Sequence, residues 1–133
     1  MTYLLDTSAF SALMKEDQRV RAWLSTLNEN DRVVVCTIVA GEILYGIARL
    51  AAGRRRTEIQ EKVRILFEAI PCEAIPESAA SFYADIKLSR QRRGLTLDEN
   101  DLWVAATARS LGAVLVTRDA DFAGIDDLST VTP

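Results

Sequence analysis

Residues 98–121 read DENDLWVAATARSLGAVLVTRDAD, and the reading of this stretch decides the fold. Asp98, Glu99 and Asp101 gather at its start, where carboxylates favour the positive end of a helix dipole. An alanine-rich apolar segment follows and breaks at Gly112, the usual kind of residue just past a last helical turn. Ala113 to Val116 is an apolar run short enough for a buried strand, and the stretch closes on Thr117, Arg118, Asp119 and Asp121. A helix returning into a buried strand is half of a parallel βαβ unit. Helix N-termini and strand C-termini share one edge of such a sheet, and open α/β sheets bind ligands at that edge. The pattern predicts that Asp101 and Asp119 lie close in space although 18 positions separate them.

Working outward, residues 2–5 (TYLL) read as a first buried strand ending at Asp6, with Thr7 and Ser8 leading into an apolar helical pattern. Asp6 therefore reads both as a helix N-cap and as a carboxylate delivered to the ligand edge. A helix is predicted over 17–28, a second buried strand over 33–36, and a helix from Thr37 to about residue 52. Glu42 lies in that helix within GEILYG, flanked by Gly41 and Gly46. Each glycine costs a helix interior ~1 kcal/mol against alanine, and Gly46, one turn beyond Glu42, leaves room for something to approach the carboxylate. Side chains on a helix lean toward its N-terminus, so Glu42 points back toward the end of the second strand. A helix follows over 53–70, Ala74 and Ile75 make a short strand or connector, and Pro76 suits the first position of a helix running to about Arg93. Leu128 to Thr132 is a candidate last edge strand. The whole is one α/β domain over residues 1–133, with parallel strands and helices on both faces.

Composition narrows the chemistry. Among 133 residues there is no histidine, which removes imidazole as general base, zinc ligand and triad member together. Cys36 and Cys72 stand far apart in no C-x-x-C arrangement and read as buried thiols in a reducing cytoplasm. No apolar run approaches the ~20 residues of a membrane span, and MTYLLDTS lacks the basic start of a signal peptide. The net charge is −3, yet ten of the sixteen Lys and Arg fall in two windows. The first runs from Arg49 through Arg54, Arg55 and Arg56 to Arg64, and the second from Lys87 to Arg92 and Arg93, so a basic patch can exist on an acidic protein.

Four carboxylates thus converge on one edge through four separate pieces of local structure: Asp6, Glu42, Asp101 and Asp119, with Thr7, Ser8 and Thr117 alongside. Gathered like charges repel unless a cation sits among them. Ligands made only of oxygen select Mg²⁺ or Mn²⁺ over zinc, and such an ion suits phosphodiester hydrolysis. G-x-G-x-x-G after the first strand, a Walker A sequence and a G-x-S-x-G elbow are all absent.

LLDTS at 4–8, GEILYG at 41–46, NDLWVAATA at 100–108 and LVTRDADF at 115–122 resemble the PIN-domain family, in particular the VapC-type toxins of bacterial toxin–antitoxin pairs. The similarity runs from residue 2 to about residue 126. It implies a three-layer α/β/α fold around a parallel sheet of about four to five strands. It also implies an Mg²⁺- or Mn²⁺-dependent endoribonuclease whose acidic quartet is Asp6, Glu42, Asp101 and Asp119, with Ser8 and Thr117 in supporting hydrogen bonds. Asp98 is assigned to helix capping and Asp121 to the loop. The resemblance further implies tRNA, less often ribosomal RNA, as substrate, a homodimer, and a cognate VapB-like antitoxin that covers the site. Ser8 stands where the family often has Asn. Arg118 and the basic windows, represented by Arg54, Arg55, Arg56, Arg92 and Arg93, are expected to hold the RNA backbone. Two other readings remain open: a PIN-type nuclease acting on DNA or in RNA processing, and a non-catalytic module that binds RNA or protein.

Overall fold

Three apolar runs form the centre of a five-stranded, all-parallel sheet: β1 (Thr2–Leu5), β2 (Arg32–Cys36) and β4 (Val114–Val116). The computed structural model describes all 133 residues. Sheet order is β3-β2-β1-β4-β5, with β3 (Cys72–Glu73) and β5 (Thr130–Val131) as short edges. Leu4, Leu5, Val34, Val35, Leu115 and Val116 are fully buried, as strands covered by helices on both faces must be. Leu4 pairs with Val34, and Leu5 with Val116, so the central strands end almost level.

Six helices complete the three layers: α1 (Thr7–Met14), α2 (Gln18–Ser25), α3 (Thr37–Ala48), α4 (Arg54–Ala69), α5 (Ala79–Arg92) and α6 (Glu99–Leu111). Local chemistry sets their ends. Asp17 caps α2 through the amides of Arg19 and Val20, and Asp98 caps α6 through the amide of Asn100, as expected. Gly112 terminates α6 in the left-handed region at φ 63°, where a Cβ is disfavoured. Within α6, Ala105, Ala106 and Ala108 are fully buried, and side chains this small let the helix lie close against its neighbours. The α5–α6 pair is fastened by Tyr83 stacked on Trp103 at 4.1 Å between centroids and by Lys87 and Tyr83 both donating to Glu99.

The chain runs from β1 outward through β2 to β3, then crosses back to place β4 on the other side of β1. The strand order therefore reverses between β1 and β4, the position at which open α/β sheets open a crevice at their C-terminal edge. Asp6 and Thr117 are the residues that step off these two strands.

Several boundaries differ from the sequence reading. β3 forms at Cys72–Glu73, ahead of Ala74–Ile75, because pairing with Val35 and Cys36 of β2 selects it. The helix expected to reach residue 52 stops at Ala48, and the one expected to reach residue 28 stops at Ser25. Pro76 lies outside α5; its carbonyl accepts the Ala79 amide at 3.0 Å in a turn ahead of the helix. Cys36 is buried as expected, but Cys72 is exposed on the edge strand. No helix is long and apolar enough to cross a membrane.

Candidate active site

Asp6 is only 4% exposed and is held by three donors. Its Oδ1 accepts the Ala9 amide at 2.8 Å and the Ser8 hydroxyl at 2.7 Å, and its Oδ2 accepts a short hydrogen bond from the Thr117 hydroxyl. Both expected roles thus coincide: Asp6 caps α1, and the same carboxylate stands at the switch point. Thr117 Oγ1 in turn accepts the Asp119 amide at 2.9 Å, while Ser8 Oγ accepts the Arg118 amide at 3.0 Å. These bonds lock the start of α1 to the loop after β4 across more than a hundred residues of sequence. Ser8 and Thr117, expected as supports, both donate to the Asp6 carboxylate.

Glu42 is partly exposed in the second turn of α3, where Thr7 Oγ1 donates to its Oε1 at 3.0 Å. A groove of about 280 Å³ opens beside it, with Thr7, Ser11, Ile43, Gly46 and Ile59 in its wall. A Cβ built on Gly46 would meet nothing within 4 Å, so the glycine does leave the open space inferred from GEILYG. Asp119 begins a short 3₁₀ turn (Ala120–Phe122) and accepts the Asp121 amide at 2.9 Å. Asp121 is exposed in that loop, as expected.

Asp101 differs from the other three. It lies in the first turn of α6, partly buried, and no side chain or backbone amide donates to it. Burial, followed by the charges of Asp98, Asp119, Glu42 and Asp6, pushes its carboxyl up to about 6. The quartet is thus gathered closely enough to be felt electrostatically at Asp101, and Asp119 does act on it as the spacing predicted. Asp98, assigned only to capping, is the largest of these charges. No three carboxylates close into a ready-made cation cage.

The basic residues correct the sequence reading more sharply. Arg118, expected at the RNA backbone, makes a two-pronged ion pair with Asp17 at 3.0 and 2.6 Å. That hydrogen bond holds the Asp17 carboxyl down at about 2. Arg93 donates to the Gly124 carbonyl at 2.7 Å, and Arg54 pairs with Glu58 one turn along α4. Arg56 lines a separate groove beside Leu44, Ile47 and Phe67. Arg55 and Arg92 are exposed with no ion pair. Charge windows cannot distinguish a free cation from one engaged by a distant carbonyl or carboxylate, and that distinction is what the reading lacked.

The PIN-domain family profile matches residues 3–128. Ribonuclease VapC1 of Haemophilus influenzae is 32% identical over 131 residues, spanning 96% of this chain and 95% of the relative. This chain belongs to the VapC branch of the PIN-domain family. VapC ribonuclease Y4jK of Sinorhizobium fredii is 29% identical over 98% of both chains. Among solved structures, VapBC-1 of nontypeable Haemophilus influenzae superposes with a TM-score of 0.89 at 28% identity, covering 99% of this chain and 98% of that one. VapBC2 of Rickettsia felis, solved bound to a DNA fragment from its promoter, reaches 0.91 at 23% identity over 100% and 99%, a likeness of fold.

For this VapC-family chain the donor set suits a hard divalent cation. Every candidate ligand is a carboxylate oxygen, no histidine exists to draw zinc, and the thiol of Cys36 is buried with its pKa raised by desolvation. Asp101 is a carboxylate that protein donors leave uncompensated beside four others, a local excess of negative charge that a cation would relieve. Asp17 and Arg90 fix the loop after β4; sequence read Arg90 only as a member of the second basic window and did not single out Asp17. Their partners lie 101 and 31 positions away, and no local pattern signals such pairs.

Proposed function

We propose that this VapC-family chain is a divalent-metal-dependent endoribonuclease, the toxin of a toxin–antitoxin pair, hydrolysing RNA phosphodiester bonds with tRNA as substrate. The observation that carries this reading is Asp101: a part-buried carboxylate without a donor at the sheet's switch point, its carboxyl pushed up to about 6 by burial and then by four neighbouring acids. Asp6, Glu42, Asp101 and Asp119 would hold Mg²⁺ or Mn²⁺. The bound ion would supply Lewis acidity toward the phosphate and toward attacking water.

The remaining contributions belong to the chain. Ser8, Ala9 and Thr117 fix the Asp6 carboxylate in one orientation, so that it meets the reaction already organised. Thr7 keeps Glu42 turned toward the start of α1. The Asp119 amide bound to Thr117 sets the direction in which the loop leaves β4. Asp101 has a pKa near 6 and is ionised at neutral pH. Of the arginines expected to hold RNA, Arg55 and Arg92 are exposed and free of ion pairs and would meet its phosphates, and binding through them weakens with salt. Arg118 acts indirectly, by fastening the Asp119 loop to α2 through Asp17.

Relatives named ribonucleases and neighbours solved as VapBC complexes support both the activity and a VapB-like antitoxin that covers the acidic edge. Leu44 and Tyr45, 53% and 67% exposed on α3, offer an apolar surface for a second copy, consistent with a homodimer. Free thiols, together with the proposed RNA substrate, support a cytoplasmic location.

The experiment is cleavage of total RNA by purified protein with Mg²⁺, with Mn²⁺ and with EDTA, beside folded Asp101→Asn. Discrete products that need metal and vanish in the variant are expected. Cleavage indifferent to EDTA, or unchanged in Asp101→Asn, would contradict the assignment. Preferential cutting of single-stranded DNA in a parallel reaction would favour the DNA-directed alternative.

A further inference from the structure

The C-terminal end of α5 carries an arginine that surface chemistry does not explain. Arg90 is 7% exposed, so its guanidinium is buried, and it is not paired with a carboxylate. Nη2 donates to the carbonyls of Thr96 and Asp121 at 3.3 and 3.2 Å, and Nη1 to that of Ala123 at 3.4 Å. Nε has no partner at all. A buried charge is costly, and neutral backbone carbonyls compensate it less well than a carboxylate. Such an arrangement persists when the carbonyls themselves must be held.

The three carbonyls belong to two segments far apart in sequence. Thr96 lies in the connector from α5 to α6, two residues before the cap Asp98 and five before Asp101. Asp121 and Ala123 lie in the turn that begins at Asp119. One guanidinium therefore grips the approach to Asp101 and the departure from Asp119. Arg93, one turn later, adds a second grip on the same loop through the Gly124 carbonyl.

We propose that Arg90 is a positioning residue for the acidic site, which sets the spacing of Asp101 and Asp119 by clamping the backbones that deliver them. This rests on the nuclease reading above for its consequence, though the clamp itself is a statement about the two loops. It acts through hydrogen-bond geometry and touches neither acid's carboxylate.

The test uses Arg90→Met, which keeps length and burial but removes every donor, and Arg90→Lys, which keeps the charge with a single donor group. Amide hydrogen exchange, Mn²⁺ affinity and RNA cleavage are measured on all three proteins. Arg90→Met is expected to speed exchange in 95–98 and 119–124 while the central strands exchange as before, and to weaken Mn²⁺ binding by about tenfold, the usual effect of losing an outer support of a metal site. Its cleavage returns when Mn²⁺ is raised, and Arg90→Lys falls between. If Arg90→Met does not fold, the same readouts on Arg90→Lys decide. Wild-type loop exchange and Mn²⁺ affinity in a variant that only melts earlier would overturn the proposal, leaving Arg90 a packing residue. If wild-type protein itself neither binds Mn²⁺ nor cuts RNA, the nuclease reading fails and takes the clamp's metal-site role with it, whatever the exchange shows.

Discussion

Asp6, which steps off β1, and Asp101, in the first turn of α6, are close enough to interact electrostatically and are built in opposite ways. Asp6 is almost wholly buried and receives an amide and two hydroxyls. Asp101 is partly exposed, receives none, and has its carboxyl pushed up to about 6 by desolvation and by its acidic neighbours. The first carboxylate is part of the scaffold: it caps α1 and binds β1 to the loop after β4. The second is a charge that the fold holds in a place it would leave if it could. A site that needs both a fixed direction and unspent electrostatic attraction for a cation gets one from each.

Removing each charge should therefore cost the same function and have opposite effects on the fold. Asp6→Asn and Asp101→Asn are each expected to lower metal-dependent RNA cleavage by about a hundredfold or more, since an ion worth several kcal/mol to the reaction loses a ligand. Single-turnover assays on folded protein measure this. Equal activity in either variant would remove that residue from the site. Next in size, Asp6→Ala should destabilise the chain by about 3 kcal/mol in urea unfolding, as an N-cap is lost and the Thr117 hydroxyl and Ala9 amide lose a charged acceptor. A cost near zero would show that Asp6 is not structural.

The third effect is smaller and depends on pH. The folded pKa of Asp101 lies above its ordinary value, so the native state binds its proton more tightly than the unfolded chain does. Through this group, metal-free stability is greatest below about pH 4 and falls as pH rises to about 6, above which the penalty is complete. Asp101→Asn lacks that decline. At pH 7 it should be the more stable protein, by on the order of 1 kcal/mol once solvent screening of a half-exposed group is allowed for. Parallel urea titrations at pH 4 and pH 7 check it; a gain at pH 4 as large as at pH 7 would assign the effect to something other than charge. Smallest, Thr7→Val should reduce cleavage only several-fold through a loosened Glu42, at nearly unchanged stability, because the hydrogen bond it removes is only partly buried.

Sequence made some parts of this arrangement plain and hid others for definable reasons. β1, β2 and β4 were legible because strands buried on both faces are written as continuous apolar runs, LL, VVVC and VLV. Strand ends then located Asp6 and Thr117, and the helix stop at Gly112 located the βα return that brings Asp101 and Asp119 to one edge. β3 was misplaced by two residues because its position is set by pairing with β2, a contact between distant segments. Charge was the least legible property. Arg118 and Arg93 read as free cations, and the first sits on Asp17 while the second sits on the Gly124 carbonyl. The contrast between Asp6 and Asp101 was equally hidden, since donors to a carboxylate come from wherever the chain returns.

The most direct measurement is thermal unfolding of wild-type protein and Asp101→Asn at pH 7, each in EDTA and in saturating Mn²⁺. Without metal, Asp101→Asn should melt higher; with Mn²⁺ at a hundred times its dissociation constant, wild type should gain about 2.7 kcal/mol and overtake it. The crossing is what a cation site built on uncompensated charge predicts. Equal Mn²⁺ shifts in both proteins, or no shift in either, would contradict a metal site at Asp101.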